Sequence, residues 1–155
     1  EVETDILSGL PAFSIVGLPD KAVGESRERV RSALKNISKD LFPDKKLTVN
    51  LAPGDLPKEG SGFDLPIAIS ILLANKQLST KAAEDIKDSI FLGELSLDGT
   101  LRHTKGVLPI VLLARKIGIK RVFLPEKTRL KRRLSQVLKF IRAATSSKFF
   151  FIFRE

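Results

Sequence analysis

At 155 residues, with no cysteine and 43% hydrophobic content, the chain is long enough for one domain with a sizeable buried core, and it excludes disulfides, thiolate metal sites and a cysteine nucleophile. Its formal net charge is +9, but Lys127 to Glu155 hold nine Lys or Arg against one Glu, so the body is nearly neutral and the basicity belongs to the tail. The acidic start, EVETDILSG, does not read as a signal peptide, and no segment reaches the roughly 18 apolar residues of a membrane span, so a soluble cytoplasmic protein with no membrane partner is expected.

Glu1 to Ile6 alternates acidic and apolar residues, and Ala12 to Val16 is a short apolar run. Both read as strands, and the Gly9/Pro11 turn between them suggests a hairpin. Asp20 is placed to cap a helix running to about Ile37, with Val23, Val30, Ala33, Leu34 and Ile37 on one face. On the rest of that helix Arg27, Arg29, Arg31 and Lys35 interleave with Glu25 and Glu28, which favours a solvated, salt-bridged surface over a phosphate-binding one. Arg27 and Arg31, one turn apart, are the candidate contacts to DNA or a neighbouring subunit.

The chain is organised around KLTVNLAPGDLPKEGSGFDLPIAISILLA, which starts at Lys46 as a β-branched strand, passes through a Gly- and Pro-bearing loop, and ends in an apolar helix. Asp64 is placed to cap that helix, Pro66 suits its first turn, and Leu65 to Ala74 is so uniformly apolar that burial on most sides is expected. Thr80 to Ser89 reads as a short amphipathic helix and Ile90 to Leu97 as a strand, with Asp98-Gly99 turning it back through Thr100 to His103. Gly106 opens a second apolar helix that closes at Gly118, and Arg121 to Leu124 is a last strand. This irregular alternation around antiparallel pairs predicts a two-layer α+β domain, with a mixed sheet and helices packed on one face.

The loop PKEGSGFD invites a phosphate-binding reading, but G-x-x-x-x-G-K-[ST] occurs nowhere, so nothing supports ATP binding by this chain, and glycines serving a tight loop are the preferred reading. Asp55, Lys58, Glu59 and Asp64 are the dense ionisable cluster here, read as a structural ion-pair network with an inter-subunit contact as the alternative. His103 is the single histidine and has no metal-ligating company, so no metal site is expected.

Three blocks, GLPAFSIVGLPDKAVGESRERVRSAL, VNLAPGDLPKEGSGFDLPIA and LGELSLDGTLRHTKGVLPIVLLA, closely resemble the N-terminal domain of the magnesium-chelatase-like AAA+ proteins, the competence-associated ComM/YifB family. The resemblance covers roughly Glu1 to Glu126 and implies a Lon-domain-like fold of the ribosomal-protein type over residues 1–125, with 126–155 an atypical basic tail. It further implies a homo-hexameric ring acting on DNA, with branch migration in natural transformation and recombination as the role. In such a ring this module serves assembly and DNA contact without doing chemistry, while ATP and magnesium belong to a separate AAA+ module. Relatives carry a short segment ahead of Glu1, so a first strand is expected to be missing and a sheet edge exposed.

The same loop is similar to the serine-bearing loop of Lon-type peptidases, with Pro57-Lys58-Glu59-Gly60 matching its first part. In that register Gly62 stands at the nucleophile position and Leu108 at the general-base lysine, so no catalytic residue is expected. A Lon-like Ser-Lys peptidase with a displaced dyad, Ser61 and Lys105, is the alternative, with Lys105 expected on a different helical face from the required position.

After Leu124-Pro125-Glu126 the family pattern, Asn-Ala-x-Glu-Ala, stops abruptly. Plausible codons for Asn-Ala-Leu-Glu-Ala-Ala, displaced by one base, read Thr-Arg-Leu-Lys-Arg, which are residues 128–132. A tail translated out of frame and selected for no packing is therefore expected. A genuine basic extension, with Phe149, Phe150, Phe151 and Phe153 as stacking aromatics on nucleic acid, is the competing reading.

Overall fold

The computed structural model describes residues 1–119, 121–125 and 142–144. Its first sheet is built on β3 (Lys46–Leu51), whose Leu47, Val49 and Leu51 are fully buried while Lys46, Thr48 and Asn50 face outward. On one side β1 (Val2–Leu7) runs antiparallel to it, and on the other β2 (Ala12–Val16) runs parallel, so Val49 lies opposite both Thr4 and Ile15. The expected β1–β2 hairpin is therefore not formed. The turn at Gly9/Pro11 reverses the chain, but β3 inserts between the two strands because its strictly alternating apolar set gains a hydrogen-bonded neighbour on each edge.

Helices α1 (Lys21–Ile37) and α2 (Asp64–Ala74) cover one face of this sheet, α2 lying against β1 and α1 against α2 and β2. The opposite face is polar, with Asn50 donating to Glu3 at 2.8 Å and Ser14 to the Thr48 hydroxyl at 3.4 Å. As its composition demands, α2 is buried on most sides: Leu65, Ile67, Ala68, Ile69, Ile71 and Leu72 all lie within the core. Ser70 joins that core by donating to the Ile67 carbonyl while sharing a 2.7 Å hydrogen bond with Thr4 of β1.

The second half holds α3 (Thr80–Ile86), capped by the Ser79 hydroxyl, and β4 (Ser89–Phe91), which pairs in parallel with β7 (Arg121–Phe123). The Asp98-Gly99 turn joins β5 (Glu94–Leu95) to β6 (Leu101–Arg102), with Gly99 at φ +84°. The single strand expected over Ile90 to Leu97 is broken at Leu92-Gly93. There the Gly93 N–H donates to the Gly62 carbonyl at 3.1 Å, and the Gly93 carbonyl accepts from Leu65 N–H at 3.0 Å. These two bonds draw the strand out of its ladder and fasten it to the start of α2. α4 (Val107–Lys116) follows Gly106 and is closed by Gly118 at φ +78°, with Ile119 N–H bonded back to the Ala114 carbonyl at 2.9 Å.

Two hydrophobic clusters result, a larger one between the first sheet and α1/α2 and a smaller one formed by Leu92, Val107, Val111, Ala114, Val122 and Leu124. In the larger cluster the Phe91 and Phe123 rings stack at 4.6 Å. This is the α+β arrangement that the sequence predicts, with several small sheets rather than one continuous one. No helix among the described residues is long and apolar enough to cross a membrane. The backbone of β8 (Arg142–Ala144) pairs in parallel with β7. The other expectations for the tail concern residues outside those described.

Candidate functional site

The start of α2 is where the fold concentrates its charge. Asp64 is fully buried, and both its oxygens are engaged: Arg29 donates through Nε to Oδ2 at 2.7 Å and through Nη2 to Oδ1 at 3.0 Å. Ser26 Oγ donates to Oδ1 and Leu95 N–H to Oδ2 at 3.0 Å. Arg29 also donates to the Ala22 carbonyl at 2.9 Å, so one planar guanidinium ties α1 to α2 while the same carboxylate ties α2 to β5. The hydrogen bond to Asp64 holds the Arg29 guanidinium above its ordinary pKa despite the opposing effect of burial. Asp64 is therefore not the cap of α2. It is the first helical residue, Phe63 precedes it without a side-chain cap, and the carboxylate turns instead to long-range partners.

The loop ahead of α2 is pinned by a second carboxylate. Asp20 accepts from Val23 N–H at 2.7 Å, which caps α1 as expected, and with its other oxygen from Gly60 N–H at 3.0 Å. Backbone bonds from Asp20 N–H to the Lys58 carbonyl and from Lys58 N–H to the Leu18 carbonyl complete the seam. Lys58 is buried, and its ammonium donates to the Pro53 carbonyl. Asp55 and Glu59 are exposed, and no ion pair joins Asp55, Lys58, Glu59 and Asp64 to one another. The ion-pair network read into these four is thus replaced by backbone anchoring, because each group with a partner finds it outside the set. Nor does the loop present a phosphate cradle, since Gly60 N–H and the Lys58 ammonium are already engaged.

These hydrogen bonds from Val23 and Gly60 lower the pKa of Asp20. A depressed carboxylate pKa contributes stability that is fully present above the unfolded value of about 3.9 and is lost as pH falls through the folded value. Acid unfolding of Asp20→Asn is therefore expected to lose part of its pH dependence below about pH 4 relative to the parent, read as unfolding midpoints in urea across pH 2–6.

Between the single 3-10 turn Ser61–Phe63, β4 and the start of α4 lies a cavity of about 670 Å³, lined by Ser61, Phe63, Phe91, His103, Lys105 and Ile110 among others. Chain segments some forty residues apart, which the displaced-dyad reading paired through Ser61 and Lys105, meet here. Gly62, at the peptidase nucleophile position, is buried, and a Cβ there would sit 2.6 Å from a Leu92 methyl and 3.3 Å from the Thr104 hydroxyl. Leu108, at the general-base position, is exposed on α4. Lys105 is not on a helical face at all, because α4 begins only at Val107. Ser61 and Lys105 line the same cavity, but no hydrogen bond joins them.

On the outer surface of α1, Arg27 pairs with Glu28 at 3.4 Å and Arg31 lies over the Phe42 ring at 5.9 Å, both exposed as expected. Arg29 and Ser26 were missed as a pair. Their signal is a serine on the apolar stripe Val23, Val30, Ala33, Leu34, with an arginine one turn on and a single acid heading an otherwise apolar helix.

The family model described as subunit ChlI of Mg-chelatase matches residues 2–128. Competence protein ComM of Haemophilus influenzae is 51% identical over 115 residues, covering 74% of this chain and 22% of that protein. The uncharacterised protein YifB of Escherichia coli is 46% identical over 119 residues, covering 77% of this chain and 23% of that protein. A Lon protease of Citrifermentans bemidjiense is more distantly similar, 30% identical over 112 residues, or 66% of this chain and 14% of the protease. The chain thus spans less than a quarter of the length of the ComM and YifB relatives. With the matched segment running from β1 through β7, the chain belongs to the Mg-chelatase ChlI family, in company with ComM and YifB.

Proposed function

We propose that this domain is the non-catalytic N-terminal module of a hexameric AAA+ ATPase acting on DNA, where it serves ring assembly and DNA contact during branch migration in transformation and recombination. The observation that carries this reading is the state of the Lon-like cleft. Its nucleophile position is a glycine closed in by Leu92 and Thr104, and its base position is a leucine. A domain that keeps this fold without the dyad is left with binding and assembly as its work. The name of the Haemophilus relative, a competence protein, supports DNA as the partner. ATP and magnesium belong, on this reading, to the remaining length of the longer protein, and the cytoplasm is its compartment.

Arg27 and Arg31 are the residues assigned to DNA or to the neighbouring subunit. Anisotropy of a labelled branched DNA across a salt series tests the first assignment. With Arg27→Glu and Arg31→Glu combined, binding by the full chain is expected to weaken, and the slope of log K against log salt to shrink by about 2. An unchanged affinity and slope would remove Arg27 and Arg31 from the DNA surface.

A further inference from the structure

We infer that the loop joining β1 to β2 in one copy of this chain seats in the cavity beside α4 of the next copy, a head-to-tail contact that repeats around a ring. The inference rests on the assembly reading proposed above and names the surfaces that the reading leaves open. The loop is apolar where turns are ordinarily polar: Leu7 is 50% exposed and Leu10 89%, and Pro11 and Ala12 are exposed beside them. A leucine held almost wholly in water at a loop tip contributes nothing to the core of its own domain, and with its neighbours it forms an apolar knob.

The cavity supplies the complementary surface. Phe63, Phe91 and Ile110 line it, and Ile110 continues along α4 into Leu113 and Ile117, three and seven residues on and both exposed. A knob entering here meets apolar surface inside the mouth and outside it. Charge runs the same way. Leu7 stands opposite Lys46 in the β1–β3 ladder, and Ala12 N–H donates to the Lys45 carbonyl at 3.3 Å, so two lysines flank the knob. Both are exposed and neither has an ion pair among the described residues, while Asp44 beside them is held by Lys35 at 2.8 Å. The cavity is lined by two carboxylates, Glu59 and Glu94, against one ammonium, Lys105, so its balance of charge is opposite to that of the knob.

One copy cannot fill its own cavity, because knob and cavity lie at opposite ends of α2. Phe63 and Pro66 put the cavity at the start of that helix. At its far end the Asn75 side chain donates to the Asp40 carbonyl at 3.1 Å, and just beyond Asp40 the Phe42 ring packs on Phe13 at 5.4 Å, next to the loop. The helix of 11 residues keeps the two about 16 Å apart. Complementary patches at opposite ends of a protomer make a heterologous contact, which closes into a ring when the rotation between copies divides the circle.

The chain has no cysteine, so introduced thiols report the contact without background. Leu10→Cys and Leu113→Cys are made separately in the full chain, the first labelled with ¹⁵N, then mixed and oxidised. Mass spectrometry is expected to find the mixed disulfide dimer at least about fivefold in excess of either homodimer, since a head-to-tail contact never brings two copies of one patch together. Lys45→Glu on the Leu10→Cys chain should cut the mixed dimer about three- to tenfold, and Glu59→Lys on the Leu113→Cys chain should restore it. In sedimentation of the chain without cysteines, Leu10→Asp should weaken self-association at least about tenfold. Leu10, Lys45, Glu59 and Leu113 are all exposed, so these variants read association without a threat to folding. Association that ignores Leu10→Asp, with no excess of the mixed dimer, would overturn this contact and leave the assembly reading standing. A parent chain that stays monomeric up to about 1 mM would overturn both.

Discussion

Asp64→Ala is expected to cost about 3–5 kcal/mol of stability, the range for removing one partner of a buried ion pair. The carboxylate is wholly inside, and its loss leaves the Arg29 fork, the Ser26 hydroxyl and the Leu95 N–H without their acceptor at the junction of α1, α2 and β5. Arg29 keeps one-fifth of its side chain in solvent and retains the Ala22 carbonyl, which limits the penalty on its side. The test is a double-mutant cycle by urea unfolding with Asp64→Ala, Arg29→Met and both together. The double variant should lose at least about 1 kcal/mol less than the sum of the singles, since the second substitution removes a charge the first has stranded. Additive losses, or a cost below about 1 kcal/mol for Asp64→Ala, would show that the buried carboxylate is not what holds the three elements together.

Gly17→Ala should be comparably damaging for a different reason. Gly17 sits at φ +97° where β2 leaves the sheet, and a Cβ there would fall on the Leu51 carbonyl, 2.9 Å from its carbon and well inside contact with its oxygen. Left-handed backbone strain alone accounts for about 1–2 kcal/mol. The steric conflict with β3 backbone, which cannot rotate away as a side chain would, adds to it. Gly60→Ala is the control, because Gly60 has φ +82° but open space around its Cβ position. Thermal and urea unfolding should show Gly60→Ala down by about 1–2 kcal/mol and Gly17→Ala by at least about 3. Equal losses would mean that the sheet yields to the added methyl.

The elements themselves were legible wherever periodicity was strong. α1, the uniformly apolar α2, the Asp98-Gly99 turn and the glycine-closed α4 stand where their residues place them. What failed was partnership across distance. An aspartate before an apolar run looks locally like a cap, and only Arg29, thirty-five residues earlier, decides that it is not. Likewise the Gly9/Pro11 turn correctly reverses the chain, but nothing within residues 1–16 announces that β3 will enter between the two strands. The cavity was legible only through resemblance, which aligned Gly62 and Leu108. The fastening of Gly93 to Gly62 and Leu65, beside the cavity that Ser61, Thr104 and Lys105 share, runs through backbone groups that carry no side-chain signature.

The placement of β3 also bears on how the chain is made. A ribosome delivers β1, β2 and α1 before the strand that pairs with both of them, so neither ribbon gains its β3 ladder until Leu51 has left the exit tunnel. Folding during synthesis cannot proceed strand by strand. It must begin as one event once β3 and α2 emerge together, and until then the nascent chain is at its most exposed to chaperones and to mispairing with its neighbours.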